Sequence, residues 1–318
     1  MKIFRILLTA LAVLAFSSCK ADPVINRVQG GDTDEGTETD KEANTLLVGS
    51  FNIRYYNTSD SYPWSARKDA VMAFINDRQP DFLGIQELRS SQAQDFVYEL
   101  SDGYGYYDIN RDTGTSISGS SGEGVGIIYK KDRFTVADKG FFWLAEPSDI
   151  LPDKNSDGTY SSWHSACRRV VVWIKAVDKW HSDRTVWFFA THFDHKSIDA
   201  RLNSSNLTVS KIKEITGISD LKGSDVPVFL VADFNCTFTS SELSPLKTAM
   251  NDARTTASST EESQRTYNGF GESSGSIIDH IFYVGSVTAD TYDVVTDDYG
   301  VAYISDHYPI LMECTYDE

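Results

Sequence analysis

Several short apolar runs in this chain stop on an acid, an amide or an imidazole, and that pattern restricts what it can fold into. Val228-Phe229-Leu230-Val231-Ala232 runs into Asp233-Phe234-Asn235, Leu83-Gly84-Ile85-Gln86 into Glu87, Ile277-Ile278 into Asp279-His280, and Ile304-Ser305 into Asp306-His307. Setting unpaired carboxylates against a core costs several kcal/mol, so a partner must be present, and a divalent cation is an efficient one. Any one of these acids reads equally well as a salt-bridged or capping carboxylate. Their joint position at equivalent strand ends argues for a shared site. Oxygen donors with no cysteine cluster among them suit a hard ion, Mg²⁺ first and Mn²⁺ or Ca²⁺ after it. Zinc is less suited: His192-Phe193-Asp194-His195 reads as H-x-x-H, but residues i and i+3 of a strand point to opposite faces.

The runs also set the fold class. Leu46 to Phe51, Phe82 to Gln86, Gly126 to Tyr129, Phe134 to Phe142, Val170 to Ile174, Val186 to Ala190, Val226 to Ala232, Ile277 to Val284 and Ile310 to Cys314 read as strands. Ala66 to Gln79, Ser91 to Leu100 and Ser197 to Ile215 carry helical spacing. Val186-Trp187-Phe188-Phe189-Ala190 is apolar on both faces and belongs inside a covered sheet. Consecutive strands interspersed with helices predict a layered α/β (α+β) protein, two packed mixed β-sheets covered by helices. The polar stretches 114–124 and 148–162 are long enough to be rims of a site or idle loops.

Function is expected after residue 45. Lys2 and Arg5, the apolar run Ile6 to Phe16 and the small Ser17-Ser18 before Cys19 read as a secretory signal over residues 1–18. The run is shorter than the ~20 residues of a spanning helix. Phe16-Ser17-Ser18-Cys19 resembles the bacterial lipoprotein box, so Cys19 is expected to carry lipid and to tie the protein to a membrane. Residues 19–45, rich in Asp, Glu, Gly and Thr, read as an acidic tether, and residues 46–318 as one catalytic domain. The expected location is the cell envelope, with no obligate protein partner and a monomeric state. Cys167, Cys236 and Cys314 are expected to be buried thiols. The formal charge of -17 argues against a broad basic face for nucleic acid.

His192 and His307 stand beside carboxylates at strand termini, where an imidazole can exchange protons near pH 7. His192 shares a strand face with Phe188 and Ala190, and with Asp194 if the strand continues that far. Arg54, Arg67, Arg169 and Arg201 lie near the motifs in sequence, where a guanidinium can fork onto phosphate oxygens or pair with the acids. Trp64, Trp143 and Trp163 are either core or an aromatic wall.

Six segments, in order, resemble the endonuclease/exonuclease/phosphatase superfamily, with its pancreatic deoxyribonuclease-like fold: Ser50-Phe51-Asn52-Ile53-Arg54, Gly84-Ile85-Gln86-Glu87, Thr191-His192-Phe193-Asp194-His195, Ala232-Asp233-Phe234-Asn235, Ile278-Asp279-His280-Ile281-Phe282 and Ser305-Asp306-His307-Tyr308-Pro309. The family's usual Gly-Asp-x-Asn is Ala232-Asp233-Phe234-Asn235 here. Trp64, Arg67 and Phe142-Trp143-Leu144 are similar to its secreted bacterial branch. The resemblance implies a four-layer sandwich with the site at one end of the sheets. By that likeness Glu87 binds the catalytic cation with Asn52 and Asp306 close by, and Asp233 and Asn235 position or activate water. His307, oriented by Asp279, contacts the phosphate or shares a proton with the nucleophile, and His192 protonates the leaving oxygen. The implied activity is metal-dependent hydrolysis of a phosphate ester that is small, lipid, sugar or nucleic acid. The competing expectation is a non-catalytic surface lipoprotein that uses the fold to bind a glycan, lipid or protein.

Overall fold

Period-two alternation along apolar strands decides which residues meet. The computed structural model describes residues 44–260 and 265–317, so the signal, Cys19 and the tether up to residue 43 lie outside the described residues. One sheet holds β1 (Thr45–Asn52), β2 (Phe82–Leu88), β3 (Tyr104–Asn110), β4 (Gly124–Lys130), β10 (Ser259–Thr260), β12 (Val287–Val294) and β13 (Ile310–Tyr316), in the order β10-β12-β13-β1-β2-β4-β3. The other holds β5 (Phe134–Trp143), β6 (Val170–Asp178), β7 (Arg184–His192), β8 (Val228–Asp233), β9 (Asn251–Asp252) and β11 (Asp279–Val284), in the order β5-β6-β7-β8-β11-β9. Both sheets are mixed: β1 runs parallel to β2 and β7 to β8, while the neighbours of each pair are antiparallel.

Odd and even residues of the same strand enter different cores. Val48, Phe82, Ile127, Phe188, Ala190, Phe229 and Val231 pack together between the sheets. Phe51, Leu83 and Ile85 face the other way, onto helices α1 (Trp64–Arg78) and α2 (Ser90–Leu100) through Val71, Phe74, Ile75 and Phe96. Trp187, Phe189, Val228 and Leu230 pack outward against Ile212 of α3 (Ile198–Thr216) and Leu246 of the short α4 (Ser244–Ala249). Helix, sheet, sheet and helix give the expected four layers. Helix ends follow local chemistry: Ser197 caps α3 by accepting from the Ala200 N–H at 3.1 Å, and Gly217, φ 74°, closes it in a left-handed turn.

Strands β3 and β12 and the brief α4 and α5 (Ala253–Thr256) are additions to the sequence reading. Cys236 and Cys314 are buried free thiols, but Cys167 is only half-buried, in a loop beside the site, which corrects the expectation for that residue. Trp64 and Trp143 are core residues.

The sheets approach closely at Gly84. A Cβ there would lie 2.4 Å from Val231 Cγ2 and 2.9 Å from Ala190 Cβ of the facing sheet. Gly84→Val should therefore lower unfolding free energy by ~1–3 kcal/mol or more, read as a lower denaturant midpoint at unchanged slope. A midpoint equal to wild type would show that the sheets separate there without cost.

Candidate active site

Because Asn52, Gln86, His192, Asp233 and Asp279 continue the inward-facing positions of their strands, they emerge together at one rim of the inter-sheet core. Strand register makes them neighbours: Asn52 is opposite Gln86, His192 opposite Asp233, and Asp233 opposite Asp279. Leaving the sheet, the chain turns sharply. Arg54, Glu87 and Asn235 all have positive φ, 56°, 62° and 53°, each just past such a position. At Glu87 the turn coincides with a register shift of β2 against β4 between Ile85 and Leu88. Non-glycine residues held in this region cost free energy, and the packed strands below fix them there.

Asp233 is the hub. Its Oδ2 accepts from Asn52 Nδ2 at 3.0 Å and lies 3.4 Å from His192 Nε2 and 3.7 Å from His307 Nε2; its Oδ1 accepts from the Asn235 backbone N–H at 2.9 Å. Burial, then the charge of Asp279, raises its pKa to about 7. His307 Nδ1 is 2.8 Å from Asp279 Oδ2. Burial opposes the imidazolium, but Asp279 and Asp233 outweigh it and raise its pKa to about 10. His192 is the opposite case. Burial and the nearby Arg169 and Arg111 hold its pKa well below the ordinary value. Asn235 Nδ2 donates to Phe193 O at 3.0 Å and faces His192 Nε2 at 3.0 Å, so Nε2 is the acceptor and the proton belongs on Nδ1, which meets no partner among the described residues.

Glu87 and Asp306 face these groups. Glu87 accepts from Asn52 Nδ2 at 3.2 Å and from the Tyr55 backbone N–H at 3.0 Å. Burial and Glu87's charge both raise the Asp306 pKa, although Arg54 Nη1 lies 3.8 Å away. These carboxylates crowd one wall without full compensation, and their donors are all oxygens, so this wall fits a hard divalent ion. A second carboxylate-imidazole group, Asp233, Asp279 and His307, brings ligand atoms within 4.8 Å of one another. It is already knit together by the His307–Asp279 bond, so an ion there would have to break that pair.

The cleft over these residues has a volume of about 550 Å³. Of the expected site residues, Arg54, Glu87, Arg169, His192, Asp233, Asn235, Asp306 and His307 line it, while Asn52 and Asp279 are buried beneath. Arg67 and Arg201 are corrections. Arg67 is fully buried and donates to the carbonyls of Ile53 at 2.7 Å and Ile304 at 2.9 Å, bracing the two segments that carry Arg54 and Asp306. Arg201 pairs with Glu242 at 3.0 Å and donates to Asp194 O at 3.1 Å. None of Trp64, Trp143 and Trp163 lines the cleft; its aromatic residues are Tyr55 and Tyr267. Arg89, Arg111, Glu123 and His195 line it as well. Arg111 follows β3 and Glu123 precedes β4, so reading β3 as a strand would have pointed to both.

Residues 49–307 match the endonuclease/exonuclease/phosphatase family. The chain belongs to this family. A Bacteroides vulgatus endonuclease/exonuclease/phosphatase is similar at 32% identity and TM-score 0.74, covering 86% of this chain and 99% of its own. The mannosyl-6-phosphatase of Bacteroides thetaiotaomicron VPI-5482 is 29% identical at TM-score 0.73, covering 85% and 100%. The human Nocturnin catalytic domain, 17% identical at TM-score 0.65 and covering 86% and 93%, shares the fold. A curated relative, an uncharacterised protein of Acanthamoeba polyphaga mimivirus, is 27% identical over 175 residues, 48% of this chain, and the match spans 25% of that relative's length. Members of this family hydrolyse phosphate esters and generally use divalent metals, and the cleft here brings together carboxylates and imidazoles of the kind that could hold one.

Asp194 is a structural acid in this family member, beyond the end of β7 and not on the strand face of His192. It accepts from the N–H groups of Ala166 at 2.9 Å, Cys167 at 3.2 Å, Lys196 at 3.0 Å and Ser197 at 2.8 Å. Burial works against its charge, but these donors and Arg169 win and depress its pKa. Since the folded pKa lies below the unfolded value, its stabilisation is present above ~pH 4 and lost as pH falls toward the depressed value. Asp194→Asn should cost ~2–4 kcal/mol at pH 7, and the gap to wild type should close below about pH 4 in denaturant titrations. A gap that persists unchanged at acid pH would remove the carboxylate charge as its cause.

Proposed function

We propose that this protein is an exported, divalent-metal-dependent phosphoesterase that cleaves its substrate by attack of an activated water. The observation that carries the reading is the convergence of Asp233, Asn235, His192 and the His307–Asp279 pair on one cleft, with Glu87 and Asp306 on its other side. Mg²⁺ is the expected ion, held by Glu87, Asp306 and Asn52; when bound it supplies charge for the phosphate oxygens and lowers the pKa of water.

The chain's own groups divide the remaining work. Asp233, with a pKa near neutrality, takes a proton from the attacking water, and Asn235 orients that water. The His307 imidazolium, held by Asp279, donates to a non-bridging phosphate oxygen, where negative charge must be stabilised. His192 is neutral in the free site, with Nδ1 buried and Nε2 beside Asp233. Once the charge of the incoming phosphate offsets Arg169 and Arg111, the ring takes up a proton from solvent at Nε2 and passes it to the leaving oxygen. A small substrate is favoured over nucleic acid: the overall charge is -17, the cleft is compact, and the B. thetaiotaomicron relative is a mannosyl-6-phosphatase. Lipidation of Cys19 would hold the enzyme at the cell envelope, with the phosphate ester as its only obligatory partner.

Purified protein should hydrolyse phosphoesters with Mg²⁺ and lose activity to a chelator, and Glu87→Gln and His192→Ala should each lower kcat/KM by ~100-fold or more. Equal rates in all three proteins would take these residues out of the mechanism. Raising salt from about 50 to 200 mM should leave turnover of a small ester nearly unchanged, whereas a nuclease contacting many phosphates would weaken ~1,000-fold. Cys19→Ser should shift the expressed protein from the membrane to the soluble fraction; retention in the membrane would refute the anchor.

A further inference from the structure

One wall of the cleft carries Arg111, Glu123 and Arg169, to which the mechanism above gives no contact with substrate. Arg169 is 4% exposed, and only its Nη2 has a neighbour, His195 Nδ1 at 3.3 Å. Its Nε and Nη1, and Arg111 Nε, are buried and meet no acceptor among the described residues. Arg111 Nη1 pairs with Glu123. Glu123 lies between the two guanidiniums, with Asp112 and Glu87 acting on Arg111 and Asp194 on Arg169, yet burial together with Arg111 lowers the pKa of Arg169. Buried charged donors without acceptors are costly unless an anion completes them.

The wall also stands in a defined place. Both arginines act electrostatically on His192, and Arg111 and Glu123 feel Glu87, so the wall flanks the space between the expected metal ligand and His192. The backbone of both arginines is held from behind. Trp143 Nε1 donates to Arg111 O at 3.0 Å and the Leu144 N–H to Arg169 O at 2.8 Å, and Trp143, Leu144 and Glu123 are all buried.

We propose that Arg111 and Arg169 form a terminal-phosphate pocket that takes the non-bridging oxygens of a phosphomonoester dianion, making the enzyme a phosphomonoesterase that discriminates against internal diesters. This deepens, and rests on, the phosphoesterase reading. His192 takes up one solvent proton as the dianion binds; water oxygen then bonds to phosphorus, the bond from phosphorus to the ester oxygen breaks, one water proton passes to Asp233, and the alcohol leaves with the proton from His192, which returns to its neutral form. The products are an alcohol and inorganic phosphate. A diester has one fewer free oxygen and one fewer negative charge for the guanidiniums.

Two measurements test this on the full chain. With Mg²⁺, kcat/KM for p-nitrophenyl phosphate should exceed that for methyl p-nitrophenyl phosphate by ~100-fold or more. By calorimetry, inorganic phosphate should bind wild type, and Arg169→Met and Arg111→Met should each weaken it about 10- to 100-fold, with Arg169→Lys in between. If Arg169→Met fails to fold by circular dichroism, Arg111→Met and Arg169→Lys carry the comparison. Hydrolysis of the methyl ester as fast as the monoester, or unchanged phosphate affinity in the folded variants, would overturn the pocket and leave the phosphoesterase reading intact. Turnover of neither ester would overturn that reading, and phosphate binding would still decide the pocket.

Discussion

The site depends on the register of three neighbouring strands. His192, Asp233 and Asp279 are direct cross-strand partners on β7, β8 and β11, so a slip of one residue in either pairing would send an acid or imidazole to the opposite face. That slip is blocked by burial on both sides. Every residue of β8 and β11 is buried, inward-facing Phe229 and Val231 meeting the other sheet and outward-facing Val228 and Leu230 meeting the helical layer. The chemistry at the rim is thus held by hydrophobic packing that contains no functional group.

The same packing accounts for the charge state of the site. Asp233 and Asp306 carry raised pKa values because burial comes first among the causes, while His307 stays protonated because two acids lie against it. Acids on one wall and guanidiniums on another give the cleft two unsatisfied halves of opposite sign, within a chain whose overall charge is -17. A cation and a phosphate together neutralise both halves, whereas either alone leaves one exposed. Net charge therefore bears on nonspecific attraction and not on what this cleft can hold.

Most of the fold was legible because strands buried on both faces are continuous apolar runs, and most of the site because its residues end those runs. What escaped the sequence has physical reasons. Tyr104-Gly105-Tyr106-Tyr107-Asp108 hides a strand behind glycine and tyrosine, and Val287 to Val294 alternates with threonine and aspartate because it is covered on one side only. Arginines were harder. Arg67 and Arg201 lie close in sequence to site residues yet turn away, one onto backbone carbonyls and one onto Glu242, because helices α1 and α3 present those positions to the protein interior. Arg111 is remote from every motif and reaches the cleft because β3 ends beside it. An arginine's role follows from the acceptor it meets, which spacing does not encode.

Positive φ at Arg54, Glu87 and Asn235 links these points. Glycine would adopt such backbones more readily, so side chains at these positions oppose local preference. Each is offset by bonds that need the side chain or the turn: Arg54 to Asp60 at 3.0 Å, Glu87 to Asn52 and to the Tyr55 amide, Asn235 to Phe193 O. The turns stop the chain from continuing in the sheet and aim its polar groups across the rim. Without them, alternation would carry Glu87 to the outer face with Ile85, toward α1 and α2 and away from Asp233. The rim is therefore where local backbone preference yields to the geometry of the cleft, and the strands beneath supply the stability that allows it.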